Sequence, residues 1–339
     1  MQMNELIASF PAQLEESLNL AAKINIRPAL LPIQNVVVMG LGGSGIGANF
    51  AAAFVQDELR LPYLVLKGYE TPAYVGANSL VICSSYSGNT EETLQGLETA
   101  FARGAKIVCI ASGGKLLEFA AKNDIDFIQL PNYGAPPRAC LGYSLVQQLA
   151  VLQRLGLISS QALTDIHHSI QLLSAEQPKM QLKADKIART FVGKFPILYA
   201  TDRMEAVLVR LRQQLNENAK ILCSHHVVPE MNHNELVGWR EQPIPFIVLI
   251  FRSSFDNPRN QLRIDINKDI ISNFTNTIVE INCKGDTIIA QMLYAVHLGD
   301  WISWEVAQLR QVDAVEVKVI DMLKSQLANF VPNADHKQG

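Results

Sequence analysis

Two glycine- and serine-rich stretches decide the fold: NVVVMGLGGSGIG at residues 35–47 and LVICSSYSGNTEET at residues 80–93. Each begins with a short run of apolar residues, continues through a loop of small residues, and leads into a helical pattern. Short, continuous apolar runs are typical of parallel strands that are buried on both faces. The two stretches therefore predict strand–loop–helix units of a doubly wound α/β sheet.

The same alternation extends outward along the chain on both sides of a long helical stretch at residues 142–189. Strands are predicted at residues 36–39, 63–66, 80–84, 106–110 and 127–130, and then at 196–200, 220–224, 245–251 and 277–282. We predict an α/β protein of two doubly wound domains, each a mainly parallel sheet flanked by helices. The predicted domains are residues 1–150, including an N-terminal helix, and residues 151–330, with a polar tail at residues 331–339.

Composition excludes several classes of protein. Of the 339 residues, 48% are hydrophobic, which is too many for a disordered chain. No apolar run reaches the roughly 18 residues of a membrane-spanning helix, and the N-terminus lacks the features of a secretory signal. A net charge of -3 argues against a nucleic-acid partner. Five scattered cysteines without a CxxC pair indicate buried free thiols, and we expect a cytoplasmic protein without membrane partners.

The first loop, GLGGSG at residues 40–45, has two ligand-binding interpretations besides that of a tight turn without a ligand. Its GxGxxG spacing after a strand matches the dinucleotide-binding fingerprint. That interpretation needs an acid at the end of the second strand, where the sequence has Lys67. In the other interpretation, Gly43 lets the backbone approach a phosphate or sugar, and Ser44 adds a hydroxyl at a helix N-terminus.

The second loop carries four hydroxyl side chains within seven residues, at the end of a strand and just before a helix. Hydroxyls and free helix N–H groups together can bind phosphate oxygens without a lysine. A helix cap would account for Thr90 but not for Ser85 and Ser87. The pattern therefore predicts a phosphate site in this loop.

Together, SYSGNTEET and GLGGSGIG resemble the loops of the sugar isomerase (SIS) fold, and specifically the bifunctional phosphoglucose/phosphomannose isomerase family. The resemblance covers nearly the whole chain and implies two packed SIS domains without a metal or other cofactor. It implies an enzyme that interconverts glucose 6-phosphate and mannose 6-phosphate with fructose 6-phosphate through a cis-enediol, as a homodimer with shared active sites. The implied phosphate ligands are Gly43, Ser44, Ser85, Ser87 and Thr90.

Such an isomerisation needs a base, a cation for the enediolate and an acid–base group for ring opening. Glu217 lies at a predicted helix end, where the dipole disfavours an acid, and position alone leaves a base and an exposed turn residue equally open. The match of NENAK, residues 216–220, to the family implies that Glu217 is the base. The NHNE match implies that His233 opens the ring from the neighbouring subunit, and a PxR match implies that Arg138 stabilises the enediolate.

A further match, GDWISW at residues 299–304, implies that Ser303 lies near the substrate. Beyond it, alignment places Arg310 where the family has a lysine, and arginine keeps the charge but does not readily release a proton. Two alternatives stay open. A non-catalytic SIS-domain sensor of sugar phosphates would not need Glu217 or His233, and a nicotinamide-dependent dehydrogenase rests on the GxGxxG spacing alone.

Overall fold

In the computed structural model, which describes residues 1–241 and 243–329, the chain forms two parallel sheets covered by helices. The polar tail predicted at residues 331–339 lies outside the described residues. The predicted N-terminal helix is two helices, α1 (Met3–Ala8) and α2 (Phe10–Ala21), because Pro11 begins a new helix after Ser9. Within the described residues, no helix is both long and apolar enough to cross a membrane.

The first sheet has five parallel strands in the order β2-β1-β3-β4-β5. The strands are β1 (Asn35–Met39), β2 (Tyr63–Leu66), β3 (Ser79–Ser84), β4 (Lys106–Ala111) and β5 (Asp126–Gln129). The helices of this half are α3 (Gly42–Val55), α4 (Glu91–Ala102), α5 (Gly114–Lys122) and α6 (Leu141–Arg154). The strand order reverses between β1 and β3, so the loops after these two strands border the crevice where open α/β sheets bind ligands.

The second sheet has four parallel strands in the order β7-β6-β8-β9. The strands are β6 (Phe195–Thr201), β7 (Ser224–Val228), β8 (Phe246–Arg252) and β9 (Ile278–Asn282). The helices are α7 (Gln161–Arg189), α8 (Glu205–Glu217), α9 (Glu235–Gly238), α10 (Pro258–Ile271), α11 (Ile288–Leu309) and α12 (Lys318–Ala328). The predicted α/β fold with two mainly parallel sheets is confirmed, and the domain boundary predicted after residue 150 falls inside α6.

Successive residues of the central strands point into two different apolar cores. Val36 and Val38 belong to a large cluster that also contains side chains of α7 and α11, whereas Val37 and Val81 belong to a smaller cluster on the other face. All four of these valines are fully buried. The central strands are therefore buried on both faces, as the continuous apolar runs predicted, and the larger core joins the two sheets.

The strand predicted at residues 220–224 is wrong, because β7 begins only at Ser224. Lys220 has a φ of +56°, which is a left-handed conformation and not a strand conformation. The next residue, Ile221, donates its backbone N–H to the carbonyl of Leu215 in α8. The apolar run at residues 221–223 therefore belongs to the connection that turns the chain back from the helix.

The prediction of five buried thiols is correct for three of them. All five cysteines are free, and Cys83, Cys109 and Cys140 are buried. Cys223 and Cys283 are only half-buried, because they lie beside the edge strands β7 and β9.

Candidate active site

The loop after β3 places its hydroxyl groups around the N-terminus of α4. The hydroxyl oxygens of Ser85 and Thr90 are 2.8 Å apart, and the Gly88 backbone N–H donates to Ser85 Oγ at 3.2 Å. Thr90 is the N-cap residue, but its side chain makes no capping hydrogen bond. The simple cap that could have explained Thr90 is therefore not formed, and the first-turn N–H groups of α4 lack this partner.

Gly88 fixes the shape of this loop. It has a φ of +70°, and a Cβ atom added to it would lie 1.8 Å from the Gly113 carbonyl oxygen. Ser87, just before it, is exposed, and its Oγ accepts a hydrogen bond from the Asn89 backbone N–H at 3.3 Å. The loop is thus a rigid turn that keeps one hydroxyl at the surface and two beside the helix N-terminus.

Gly43 brings the first glycine loop against the turn that carries Arg138. A Cβ atom at Gly43 would lie 2.5 Å from the carbonyl oxygen of Pro137, in the 3-10 helix Pro137–Ala139. Ser44 lies one residue further along α3, is buried, and accepts a hydrogen bond on its carbonyl oxygen from Ser144 Oγ at 3.3 Å. The first glycine loop and the segment after β5 therefore form one continuous surface at the carboxyl edge of the first sheet.

Arg138 connects this surface to the second half of the chain. Its side chain is 4% exposed. Its Nη1 donates to Glu217 Oε2 at 3.3 Å, and its Nε donates to Asn218 Oδ1 at 2.8 Å. Burial lowers the pKa of the guanidinium, and the nearby Glu217 carboxylate opposes that shift. The predicted cation and the predicted base therefore form an ion pair.

Glu217 comes from the opposite edge of its own sheet. It is the last residue of α8, which runs back from the carboxyl edge of the second sheet toward the start of β7. Its side chain is 28% exposed, so one side remains open to a ligand while the other faces Arg138. The prediction that this acid lies at a helix end is confirmed.

A buried polar network supports the ion pair from behind. Asn218 is fully buried and donates through Nδ2 to Ser303 Oγ at 2.9 Å, and Ser303 in turn donates to the Asp300 carbonyl. Asp300 also forms a two-bonded ion pair with Arg210, at 3.1 and 2.8 Å. Ser303 was predicted to lie near the substrate. It has no exposed surface and connects to Arg138 only through Asn218, so direct contact with a ligand is not supported.

Sequence reasoning did not find a second cation beside Glu217. Lys220 Nζ donates to the Glu217 carbonyl at 2.6 Å, the Asp313 carbonyl at 2.7 Å and the Glu316 carbonyl at 2.9 Å. Arg138 Nη2 donates to the two carbonyls between these, those of Ala314 and Val315. The three acceptors are backbone carbonyls, which a sequence does not reveal. The only sequence signal for this contact was the lysine at the end of NENAK.

His233 is not near Glu217 within one chain. It ends a 3-10 helix, Glu230–His233, that follows β7, and its side chain is exposed without a hydrogen bond to any described residue. The five residues of β7 span about 16 Å between the edge where Glu217 lies and the edge where His233 lies.

The segment around His233 is nevertheless firmly held. Asn232 donates to Asn267 Oδ1 at 2.6 Å, and Asn234 donates to Glu230 Oε1 at 2.8 Å. Glu235 pairs with His226 Nδ1 at 3.0 Å and accepts a short hydrogen bond from Tyr199. These contacts leave His233 as an exposed side chain on an ordered surface.

Arg310 also lies away from the ion pair. It is an exposed residue at the end of α11, and it lines a separate cavity of about 390 Å³ together with Phe191 and Ile221. Its side chain makes no hydrogen bond or ion pair with the described residues. The structure therefore does not bring Arg310 to the group formed by Arg138 and Glu217. Within residues 1–241 and 243–329, no cluster of three or more His, Cys, Asp or Glu side chains is placed to hold a metal ion.

Two protein families match successive parts of the chain. Residues 29–156 match the SIS domain, and residues 180–327 match the bacterial phospho-glucose isomerase C-terminal SIS domain. The C-terminal domain of glucosamine-fructose-6-phosphate aminotransferase from Francisella tularensis has a similar structure. Its TM-score is 0.73 at 15% identity, and the match covers 93% of this chain and 98% of that one. This likeness concerns the fold.

Relatives of known name match over most of the chain. The bifunctional phosphoglucose/phosphomannose isomerase of Caldicellulosiruptor bescii is 38% identical over 340 residues, which cover 97% of this chain and 99% of the relative. The D-glucosamine-6-phosphate 4-epimerase of Sulfolobus acidocaldarius is a more distant relative at 29% identity, with 87% of this chain and 92% of the relative covered.

Proposed function

The chain belongs to the bifunctional phosphoglucose/phosphomannose isomerase family of SIS-domain proteins, and from that membership we propose that it interconverts glucose 6-phosphate and mannose 6-phosphate with fructose 6-phosphate. One observation carries the proposal. Pro137 packs against Gly43 of the first glycine loop, and the next residue, Arg138, pairs with Glu217. A phosphate-binding surface and a carboxylate thus border one site.

The substrate phosphate binds at the carboxyl edge of the first sheet. The hydroxyls of Ser85, Ser87 and Thr90 and the first-turn N–H groups of α4 supply the donors, and the helix dipole favours the anion. Gly43 and Ser44 begin the other helix at this edge and complete the site. These donors can bind the phosphate oxygens by hydrogen bonds without a metal ion.

Glu217 moves the hydrogen. Its carboxylate takes the proton from C2 of the open-chain aldose phosphate and returns it to C1, while the O2 hydroxyl proton passes to O1. Glucose 6-phosphate and mannose 6-phosphate differ only in configuration at C2, so both give the same cis-enediol. Arg138 stabilises the enediolate oxygen, and its buried hydrogen bonds hold it in place before the substrate arrives.

His233 opens the sugar ring from a second copy of the chain. It is exposed and lies at the far edge of the second sheet from its own Glu217, so only a neighbouring subunit can present it to this site. An imidazole has two ring nitrogens that can donate or accept a proton, which suits this proton transfer.

The last helix also supports a homodimer. In α12 the apolar side chains are exposed: Val319 by 77%, Met322 by 57%, Leu323 by 54% and Leu327 by 51%. A helix of 11 residues is marginal in water on its own, so it needs an apolar partner surface. We take that partner to be the second subunit, because α12 begins beside the active site.

A coupled assay with each aldose phosphate, run in the presence of EDTA, tests the proposal. We expect fructose 6-phosphate from both substrates without added metal. A sensor of sugar phosphates would give neither product nor incorporation of solvent deuterium into fructose 6-phosphate. Incubation with D-glucosamine 6-phosphate tests the chemistry of the more distant relative, and conversion only to its C4 epimer would overturn the proposal.

A further inference from the structure

Four consecutive backbone carbonyls, those of residues 313–316, are all bound by the two cations that flank Glu217. Arg138 Nη2 binds the inner pair, Ala314 and Val315, at 2.7 and 2.9 Å. Lys220 Nζ binds the outer pair, Asp313 and Glu316, and adds the carbonyl of Glu217 itself. We infer that Lys220 is a positioning residue for the isomerisation, which fixes Glu217 against Arg138 by tying the end of α8 to residues 313–316. This inference rests on the proposed function.

The backbone of Lys220 supports this role. Its φ of +56° is left-handed, a conformation that is unfavourable for a residue with a Cβ atom and that usually favours glycine after a helix. Glycine would fit the backbone better, yet the chain has a lysine there. We therefore attribute the presence of lysine at this position to its side chain and not to its backbone.

The three hydrogen bonds require a charged ammonium group. An ammonium has three N–H donors, and Lys220 uses all three on carbonyl oxygens, whereas a neutral amine has two. The charged groups that face Lys220 are Glu217, Asp313 and Glu316, which favour its charged form, and Arg138, which opposes it. Burial outweighs the acids and lowers the pKa of Lys220 below its usual 10.5. Deprotonation at alkaline pH therefore releases one of the three carbonyls.

Two variants distinguish a loss of catalytic positioning from a loss of protein stability. In Lys220→Gly the left-handed backbone is relieved and the ammonium is lost, so stability should hold while kcat falls about 30-fold and KM changes less than about threefold. Lys220→Met should lower kcat by a similar factor. Asp124→Gly is the matched control, because Asp124 also has a left-handed φ, of +52°, but lies at the amino edge of the first sheet. It should keep the wild-type kcat.

The pH dependence of kcat and the exchange rates of backbone amides should both change if Lys220 positions Glu217, and should not change if Lys220 has only a structural role. Wild-type kcat should fall on an alkaline limb below pH 10.5, and Lys220→Arg, which stays charged, should shift that limb upward. Backbone amides of residues 311–317 should exchange at least about tenfold faster in Lys220→Met, with residues 85–90 unchanged.

The outcomes distinguish this inference from the proposed function. A wild-type enzyme without isomerase activity overturns the proposed function. Independently of activity, unchanged hydrogen exchange at residues 311–317 in Lys220→Met overturns the inference that Lys220 holds this segment to the end of α8. An active wild-type enzyme whose Lys220→Gly and Lys220→Met variants keep full kcat overturns the positioning role alone.

Discussion

The two sheets share one parallel architecture, but the crevices at their carboxyl edges differ. In the first, between β1 and β3, Ser85, Ser87 and Thr90 present hydroxyls beside a helix N-terminus, and none of the three hydroxyls is bonded to an acid of the described residues. In the second, between β6 and β8, Asp256 fills the crevice and accepts hydrogen bonds from Thr201 Oγ1 at 2.6 Å and the Ser253 N–H at 2.8 Å.

This difference indicates that only the first of the two crevices is suited to bind an anion. Asp256 is buried and paired within its own crevice, so a second anion would meet a carboxylate there. In the first crevice, no carboxylate of the described residues binds the three hydroxyls, and Glu91 and Glu92 lie in the following first turn of α4. The second domain instead contributes Glu217, from the opposite edge of its sheet. Under the proposed function, this carboxylate acts on a ligand that the first domain binds.

The largest effect that the comparison predicts is at Glu217. Glu217→Gln keeps the size of the side chain but cannot take up a proton, so kcat should fall by about 10³-fold or more. Sugar-phosphate binding, measured by calorimetry, should change little because the donors belong to the first domain. Glu205→Gln, at the exposed other end of α8, is the control and should retain full turnover. Equal loss in both variants would contradict the assignment.

Matched substitutions in the two crevices test the division directly. Ser85→Ala with Thr90→Ala removes two charge-assisted hydrogen bonds and should raise KM by about 100-fold. Thr201→Val in the second crevice should leave KM unchanged and lower the free energy of unfolding by about 1–3 kcal/mol, because Asp256 loses a buried donor. Steady-state kinetics and urea unfolding measure the two quantities. A raised KM in Thr201→Val would mean that the second crevice also binds substrate.

The packing of α2, α7 and α11, which joins the two halves, should respond to acid. His297 in α11 stacks on Phe10, pairs with Gln177 at 2.9 Å, and has its pKa lowered to about 4 by burial. Its folded pKa lies below the unfolded value of about 6.5, so the stability it gives is complete above pH 6.5 and is lost as pH falls toward 4.

Urea unfolding at pH 7 and pH 5 checks this expectation. Between those two values the wild type should lose about 2 kcal/mol more than His297→Gln, which keeps a partner for Gln177 and has no titration. A wild type and variant with parallel pH dependence would show that the pKa of His297 is the same in the folded and unfolded states.

The smallest effect is expected at Arg310. The resemblance to the family implied a role at the sugar ring, but the side chain is exposed in a cavity beside Phe191. Arg310→Ala should therefore leave kcat and KM within about twofold of the wild type. A loss of tenfold or more in kcat would restore the role that alignment suggested.

The strands and the helix end that carries Glu217 were predictable because local pattern determines them. The buried run at residues 80–84 lies before a helical pattern and so indicates a strand, and an acid at a helix C-terminus stands out against the dipole. The start of β7 was predicted too early, because an apolar run does not reveal that Lys220 has a left-handed backbone conformation.

The site was predictable only in part, for a different reason. The family resemblance implied the roles of Arg138 and Glu217, whose side chains can be matched in a sequence, whereas the acceptors at residues 313–316 are backbone carbonyls that any sequence supplies. For Ser303, the match of GDWISW to the family implied a position near the substrate, and a sequence match does not reveal that this buried side chain is two hydrogen bonds from Arg138.

A crystal structure of the Glu217→Gln variant with fructose 6-phosphate tests most directly whether one half binds what the other half converts. We predict the 6-phosphate on the hydroxyls of Ser85, Ser87 and Thr90, with C1 and C2 of the sugar beside the side chain at position 217. A phosphate bound at Thr201 and Asp256, or a sugar whose C1 and C2 lie out of reach of position 217, would contradict the account.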